Sequence, residues 1–174
     1  MKKVKLLGLG LMTIAFVACN QGPSPKEIEI TKCETPKYEV LFETSSISGT
    51  QDLYNTQDFK ALLGKFMRDS QCFSFVQTPS QNTWKMEVTY KLITNATSQD
   101  FNIAKGQSEA TLKSLVTLNL TQPKQSIKEH ANGELKLSKE HFFGAGKESA
   151  ISKTEIERLL TDNIVFIIDD LRNK

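Results

Sequence analysis

Trp84 to Leu92 alternates without a break. Trp84, Met86, Val88, Tyr90 and Leu92 fall on one side of an extended chain, and Lys85, Glu87, Thr89 and Lys91 on the other. Successive side chains of a strand point to opposite faces, so this stretch has one dry face and one wet face. Such a strand belongs to an antiparallel sheet covered on one side. The rest of the chain must supply an apolar layer for that single face. The wet Lys/Glu/Thr/Lys face reads as solvated surface, with an acidic partner as the alternative.

Two segments have the periodicity to be that layer. From Thr56 to Asp69, Phe59, Leu62, Leu63, Phe66 and Met67 recur at helical spacing, with Asn55 or Thr56 as cap and Asp58 at the positive end. Gly64 in its middle costs about 1 kcal/mol relative to Ala, which points to close packing against a neighbour or to a tolerated weak spot. The second helix opens with Ser152-Lys153-Thr154-Glu155, a capping-box pattern. Ile156, Leu159, Leu160, Ile164, Ile167, Ile168 and Leu171 then form one stripe, widened by Val165 and Phe166.

The other strands are shorter or weaker. Tyr38–Glu43 and Cys72–Val76 flank the first helix, and strand, helix, strand favours a parallel crossover. Ser45 to Gly49 reads as a turn and Thr94 to Gly106 as a polar loop whose Phe101-Asn102-Ile103 packs back onto the domain. Ala110–Thr121 is a strand with Leu115 facing away from its other leucines, and Ser126–Leu137 a weaker one, bulged near Asn132-Gly133. The expected fold is α+β: a small mixed sheet, with a parallel β-α-β start and then an antiparallel meander, and two helices packed on one face. His141-Phe142-Phe143-Gly144-Ala145-Gly146 reads either as a docking lip offering Phe142 and Phe143 to a partner or as a hinge that tucks both rings under the last helix.

The first residues set the compartment. Lys2, Lys3 and Lys5 precede an apolar run from Leu6 to Ala18, which ends at Cys19. A basic start, a short apolar core and small residues at its end make a secretory signal, too short to span a bilayer. The junction resembles a bacterial lipobox. That resemblance implies cleavage before Cys19, diacylglycerol on its sulfur, and membrane attachment through that lipid. An ordinary signal peptide cut nearby and an uncleaved anchor are the alternatives. The expected organisation is a signal peptide over 1–18, a lipidated N-terminus and tether over 19–36, and one domain over 37–174. Glu27 to Ile30 alternates charged and apolar residues and can pair as an edge strand.

Net charge excludes one class of partner. The chain carries 22 Lys and Arg against 20 Asp and Glu; without Lys2, Lys3 and Lys5 the balance is 19 to 20. Nucleic-acid binding wants a strongly basic face, and none is expected. Cys33 and Cys72, 39 positions apart, are an even pair in an exported chain and read as a disulfide or as two separate buried thiols. With only His130 and His141 as further soft ligands, no metal site is expected.

Catalytic motifs are lacking too. His130 and His141 are isolated, Asp169-Asp170 sits at a helix end, and Gly144-Ala145-Gly146 has no Lys-Ser/Thr sequel. No enzyme activity, cofactor or small-molecule substrate is expected.

Two stretches carry a family likeness. Phe59 to Val76 takes an amphipathic helix through Asp69-Ser70-Gln71-Cys72 into Phe73-Ser74-Phe75-Val76, and Phe142 to Leu171 takes a glycine-bearing segment into a closing helix. Together with the lipobox they resemble the bacterial outer-membrane lipoproteins of the CsgG/LpoB kind. Ser80-Gln81-Asn82-Thr83 departs from that family's glycine-alanine-aspartate entry to the third strand. A second resemblance is to LptE-like lipoproteins. The first implies a lipid-anchored periplasmic domain that assists an envelope protein machine in secretion or peptidoglycan synthesis. The second implies lipopolysaccharide assembly, and a purely structural surface lipoprotein is the remaining alternative.

Overall fold

A computed structural model describes residues 30–43, 45–102, 105–142 and 151–174. In chain order the elements are β1 (Tyr38–Val40), β2 (Ser46–Gly49), α1 (Thr56–Asp69), β3 (Phe73–Phe75), β4 (Lys85–Asn102), β5 (Lys105–Gln122), β6 (Gln125–Phe142) and α2 (Lys153–Arg172). The fold is α+β.

β1 and β3 pair in parallel across α1, from Tyr38 opposite Phe73 to Val40 opposite Phe75. β2, β4, β5 and β6 form a second ladder in that order. One parallel bridge, Val40 to Trp84, joins the two, and the Trp84 N–H donates to the Glu39 carbonyl at 2.7 Å. β1 and β2 thus lie end to end along the same side of β4, both parallel to it. The meander β4-β5-β6 is antiparallel.

Both helices cover the dry face. Phe59 of α1 stacks on Tyr90 of β4 at 4.3 Å between ring centroids. On α2, Asn163 Nδ2 donates to Ser114 Oγ at 2.7 Å, and Leu159 lies over Gly133. Trp84, Met86, Val88, Tyr90 and Leu92 are all buried, with Leu112, Leu118 and Leu120 beside them. The helix starts are capped by Asn55, which accepts from the Asp58 N–H, and by a complete box between Ser152 and Glu155. Lys153 and Asp58 tie the two starts together at 2.6 Å. Gly64 has a packing reason, because a Cβ there would come within 2.8 Å of the Phe42 ring.

The structure corrects four expectations. Ser46–Gly49 is a strand, not a turn. It is short and half-exposed, so it has no apolar signature, and its pairing comes from lying along the side of β4. The expected loop from Thr94 to Gly106 belongs largely to β4 and β5, each 18 residues long. Past Leu92 the helices no longer cover β4; Thr94, Asn95 and Ala96 are exposed, and among the described residues only the ladder to β5 holds the strand. Phe101 and Asn102 end β4, while Ile103 is outside the described residues. The register of β6 runs through Asn132 and Gly133 without a bulge; the irregularity in the meander falls between Asp100 and Asn102. Phe166 does not join the α2 stripe, being 62% exposed. Glu27 to Glu29 lie outside the described residues.

Candidate functional site

Ile30 to Lys37 lead into one end of the folded domain, its base. Cys33 and Cys72 are bonded, with their Cα atoms 5.0 Å apart. Around them the Cys33 N–H donates to the Ser70 carbonyl at 2.8 Å, the Lys37 N–H to the Cys72 carbonyl at 2.8 Å, and the Cys72 N–H to Ser70 Oγ at 3.2 Å. Gln71 takes a left-handed turn between α1 and β3, with φ of 57°. The last turn of α2 arrives at the same place. Tyr38 Oη donates to the Leu171 carbonyl at 3.0 Å, and Lys37 Nζ to that of Arg172.

Charge is gathered here as well. Lys174 pairs with Glu129, a residue that is buried. The hydrogen bond to Glu129 raises the Lys174 pKa, and burial raises that of Tyr38. Nearby on β1, hydrogen bonds from Thr83 and Ser80 hold the Glu39 carboxyl below its ordinary range.

A three-stranded ribbon leaves this base. β4 starts beside β1 at Trp84 and runs outward to Asn102, where it meets Lys105 of β5. Eighteen residues at about 3.3 Å each span roughly 60 Å. The tip of the ribbon is therefore at the end of the domain opposite Cys33. Phe142 ends β6 at that tip, paired with Lys105.

On the face away from the helices, a depression of about 460 Å³ lies partway along the ribbon. Lys91 and Ile93 of β4, Lys113 and Leu115 of β5, and Glu134 of β6 line it. Ile93 is 43% and Leu115 38% exposed. Glu134 is bound by Lys113 and Lys136, each at 3.4 Å, and those bonds hold its carboxyl below the ordinary range.

The sequence-derived residues are dispersed. Cys19 and Phe143 lie outside the described residues. Cys33 and Cys72 meet at the base, while Phe142 is at the far end. His130 is exposed on β6. Among the described residues there is no cluster of three or more His, Cys, Asp or Glu able to hold a metal, and no helix long and apolar enough to cross a membrane. The depression and the open side of β4 beside it had a sequence signal in Thr94 and Thr97, β-branched residues that favour strand. The loop reading masked it.

No family model matches the chain, and no curated protein matches it. Among solved structures, a neuraminyllactose-binding hemagglutinin homolog from Helicobacter pylori aligns with a TM-score of 0.41 and 9% identity, over 86% of this chain and 90% of that one. A minor lipoprotein from Acinetobacter baumannii aligns with a TM-score of 0.31 and 14% identity, over 80% and 87%. At these TM-scores and identities, function has to be read from the chain's own residues.

Proposed function

We propose that this chain is an outer-membrane lipoprotein, anchored through lipid on Cys19, whose periplasmic domain binds a protein of the cell envelope and catalyses no reaction. The observation that carries this reading is the opposition of base and tip. The tether is stapled at Cys33, 14 positions after Cys19, and the ribbon ends at the other pole. A lipid-anchored chain with that geometry keeps its base at the bilayer and extends the ribbon towards partners beyond it. The secretion or peptidoglycan-synthesis role implied by the CsgG/LpoB resemblance is the form of assistance we favour.

Cys19→Ala tests the anchor. The variant loses labelling by radioactive palmitate and leaves the membrane fraction, because stable attachment needs several acyl chains on one site. A Cys19→Ala protein that still pellets wholly with membranes overturns the reading. For the partner, a photo-crosslinking residue placed at Asn95 reports what meets the ribbon. A secretion or peptidoglycan-synthesis protein supports the proposal; an outer-membrane barrel carrying lipopolysaccharide overturns the favoured role.

A further inference from the structure

Among the described residues, only the first half of β4 is closed on its outer side. β2 pairs it from Ser46 opposite Glu87 to Gly49 opposite Tyr90. Thr50 finishes that pairing: its N–H donates to the Tyr90 carbonyl at 3.3 Å, and its Oγ1 accepts from the Leu92 N–H at 3.1 Å. Beyond Leu92, β4 continues to Asn102, and among the described residues no strand pairs with its outer side. The Tyr90 carbonyl and the Leu92 amide fix the phase of the strand beyond them. Alternate residues of a strand turn their polar groups to alternate sides, so Thr94, Ala96 and Ser98 point N–H and C=O outward.

The sequence treats the two edges of the ribbon differently. On β6, Glu134 to His141 includes Glu134, Lys136, Lys139 and Glu140. On β4, Leu92 to Gln99 has no ionisable residue and no proline. Sheets guard free edges against pairing with charge, lysine above all, and with proline. β6 has that guard and β4 does not.

The depression adjoins the unguarded edge. Lys113 is committed to Glu134, while Lys91 has no ion pair among the described residues. A side chain diagonal to Lys91 on an added strand is within reach of its long stem. Ile93, exposed beside it, offers apolar contact.

We propose that this edge takes an extended segment of the envelope partner, added as a strand along Leu92–Ser98, with an acidic residue towards Lys91 and an apolar one against Ile93. The inference deepens the partner-binding reading and rests on it. Main-chain hydrogen bonds supply affinity in such an addition, and the alternate side chains supply selectivity. A second copy fits less well. A two-fold dimer pairs identical edges antiparallel, whereas β4 strands of two chains anchored in one bilayer both run away from it.

The test uses the lipidated protein in detergent micelles. Its probes are two short labelled peptides, one alternating valine with glutamate and threonine, the other with lysine in place of glutamate. The glutamate peptide binds and slows hydrogen exchange at the amides of Thr94, Ala96 and Ser98. Ala96→Pro removes one outward N–H and weakens binding about tenfold. Ala96→Lys and Lys91→Glu change exposed side chains only; the first guards the edge and weakens both peptides, and the second reverses the preference between them. Protection confined to β6, indifference to all three variants, or a dimer whose β4 amides are protected without peptide would each overturn the proposal. Membrane fractionation of Cys19→Ala is independent of these readouts, so the anchor and the strand addition fail separately.

Discussion

Asn163 and Ser114, 49 residues apart in sequence, join α2 to β5 through a hydrogen bond of 2.7 Å that is buried on both sides. Asn163 is 3% and Ser114 4% exposed, so neither group has water as a substitute. Ser114 occupies a position on the dry face between Leu92 and Gly133, where an apolar residue is the ordinary choice. Removing one partner leaves the other unsatisfied. Asn163→Ala is expected to cost about 1–3 kcal/mol, and the double change with Ser114→Ala less than the sum of the two single changes. Urea denaturation of the four proteins measures this cycle; strict additivity would show the bond to be inert.

Gly49 lies under a tyrosine ring. A Cβ built there would stand 2.2 Å from Tyr90 Cε1, and that ring is held from its other side by Phe59 at 4.3 Å. Gly49→Ala therefore overpacks the junction of β2, β4 and α1. A loss of about 1–3 kcal/mol is expected, read as a lower urea midpoint at unchanged slope. Gly49→Ala with wild-type stability would mean that Tyr90 moves aside freely.

The Cys33–Cys72 bond joins two residues 39 positions apart in sequence. On the chain-entropy estimate such a closure contributes about 4 kcal/mol, acting mainly on the unfolded chain. Cys33→Ser, which leaves the fully buried Cys72 in place, is expected to lose most of that amount. Reducing agent should lower the midpoint of the wild type and leave the variant where it is. Mass spectrometry of unreduced, alkylated envelope material gives the direct check: both cysteines escape alkylation when the bond is present.

Acid should loosen the contact between the helix starts. The hydrogen bond and charge of Lys153 hold the Asp58 carboxyl below its ordinary range. An acid whose pKa is depressed on folding contributes stability above its unfolded pKa and loses it as pH falls through the folded value. Stability should therefore decline as pH falls below about 4, Glu39 adding to the same slope through Thr83 and Ser80. Lys153 has the opposite sign: its pKa is raised by Asp58, so its share is present below the ordinary lysine pKa and is lost in strong alkali. Lys153→Met should flatten both limbs of the pH–stability curve. An unchanged acid limb in that variant would assign the decline to other carboxylates.

Legibility from sequence tracked wetness. Trp84–Leu92 and the two helical stripes were readable because each has one dry face, and burial writes a period into the residues. Thr94–Ala96 was not, since all three residues are exposed and, among the described residues, the ladder to β5 is what makes this stretch a strand. Ser46–Gly49 failed for a related reason: its partner is 41 residues away in sequence at every position, and its own residues carry no alternation. Gly133 suggested a bulge, whereas its lack of a side chain makes room for Leu159, a contact no local pattern encodes. The unguarded side of β4 is a relation between strands. Its sequence trace, eight consecutive residues without charge or proline, gains meaning only once β2 is seen to stop at Gly49.

The bond at the base also decides how the domain carries load. A pull between the N-terminal side of the chain and the tip of the ribbon meets the first covalent cross-link at Cys33. From there the covalent path crosses to Cys72 and goes on through β3 to β4. Residues 34–71, which include β1, β2 and α1, hang outside that path as a closed loop and bear no tension through the backbone. Reduction would put all of them in series with the force and let the domain unravel from its N-terminal side. Under traction the disulfide works as a bypass, and the chain that can be drawn out before the ribbon itself is loaded is shortened by the 39 positions separating the two cysteines.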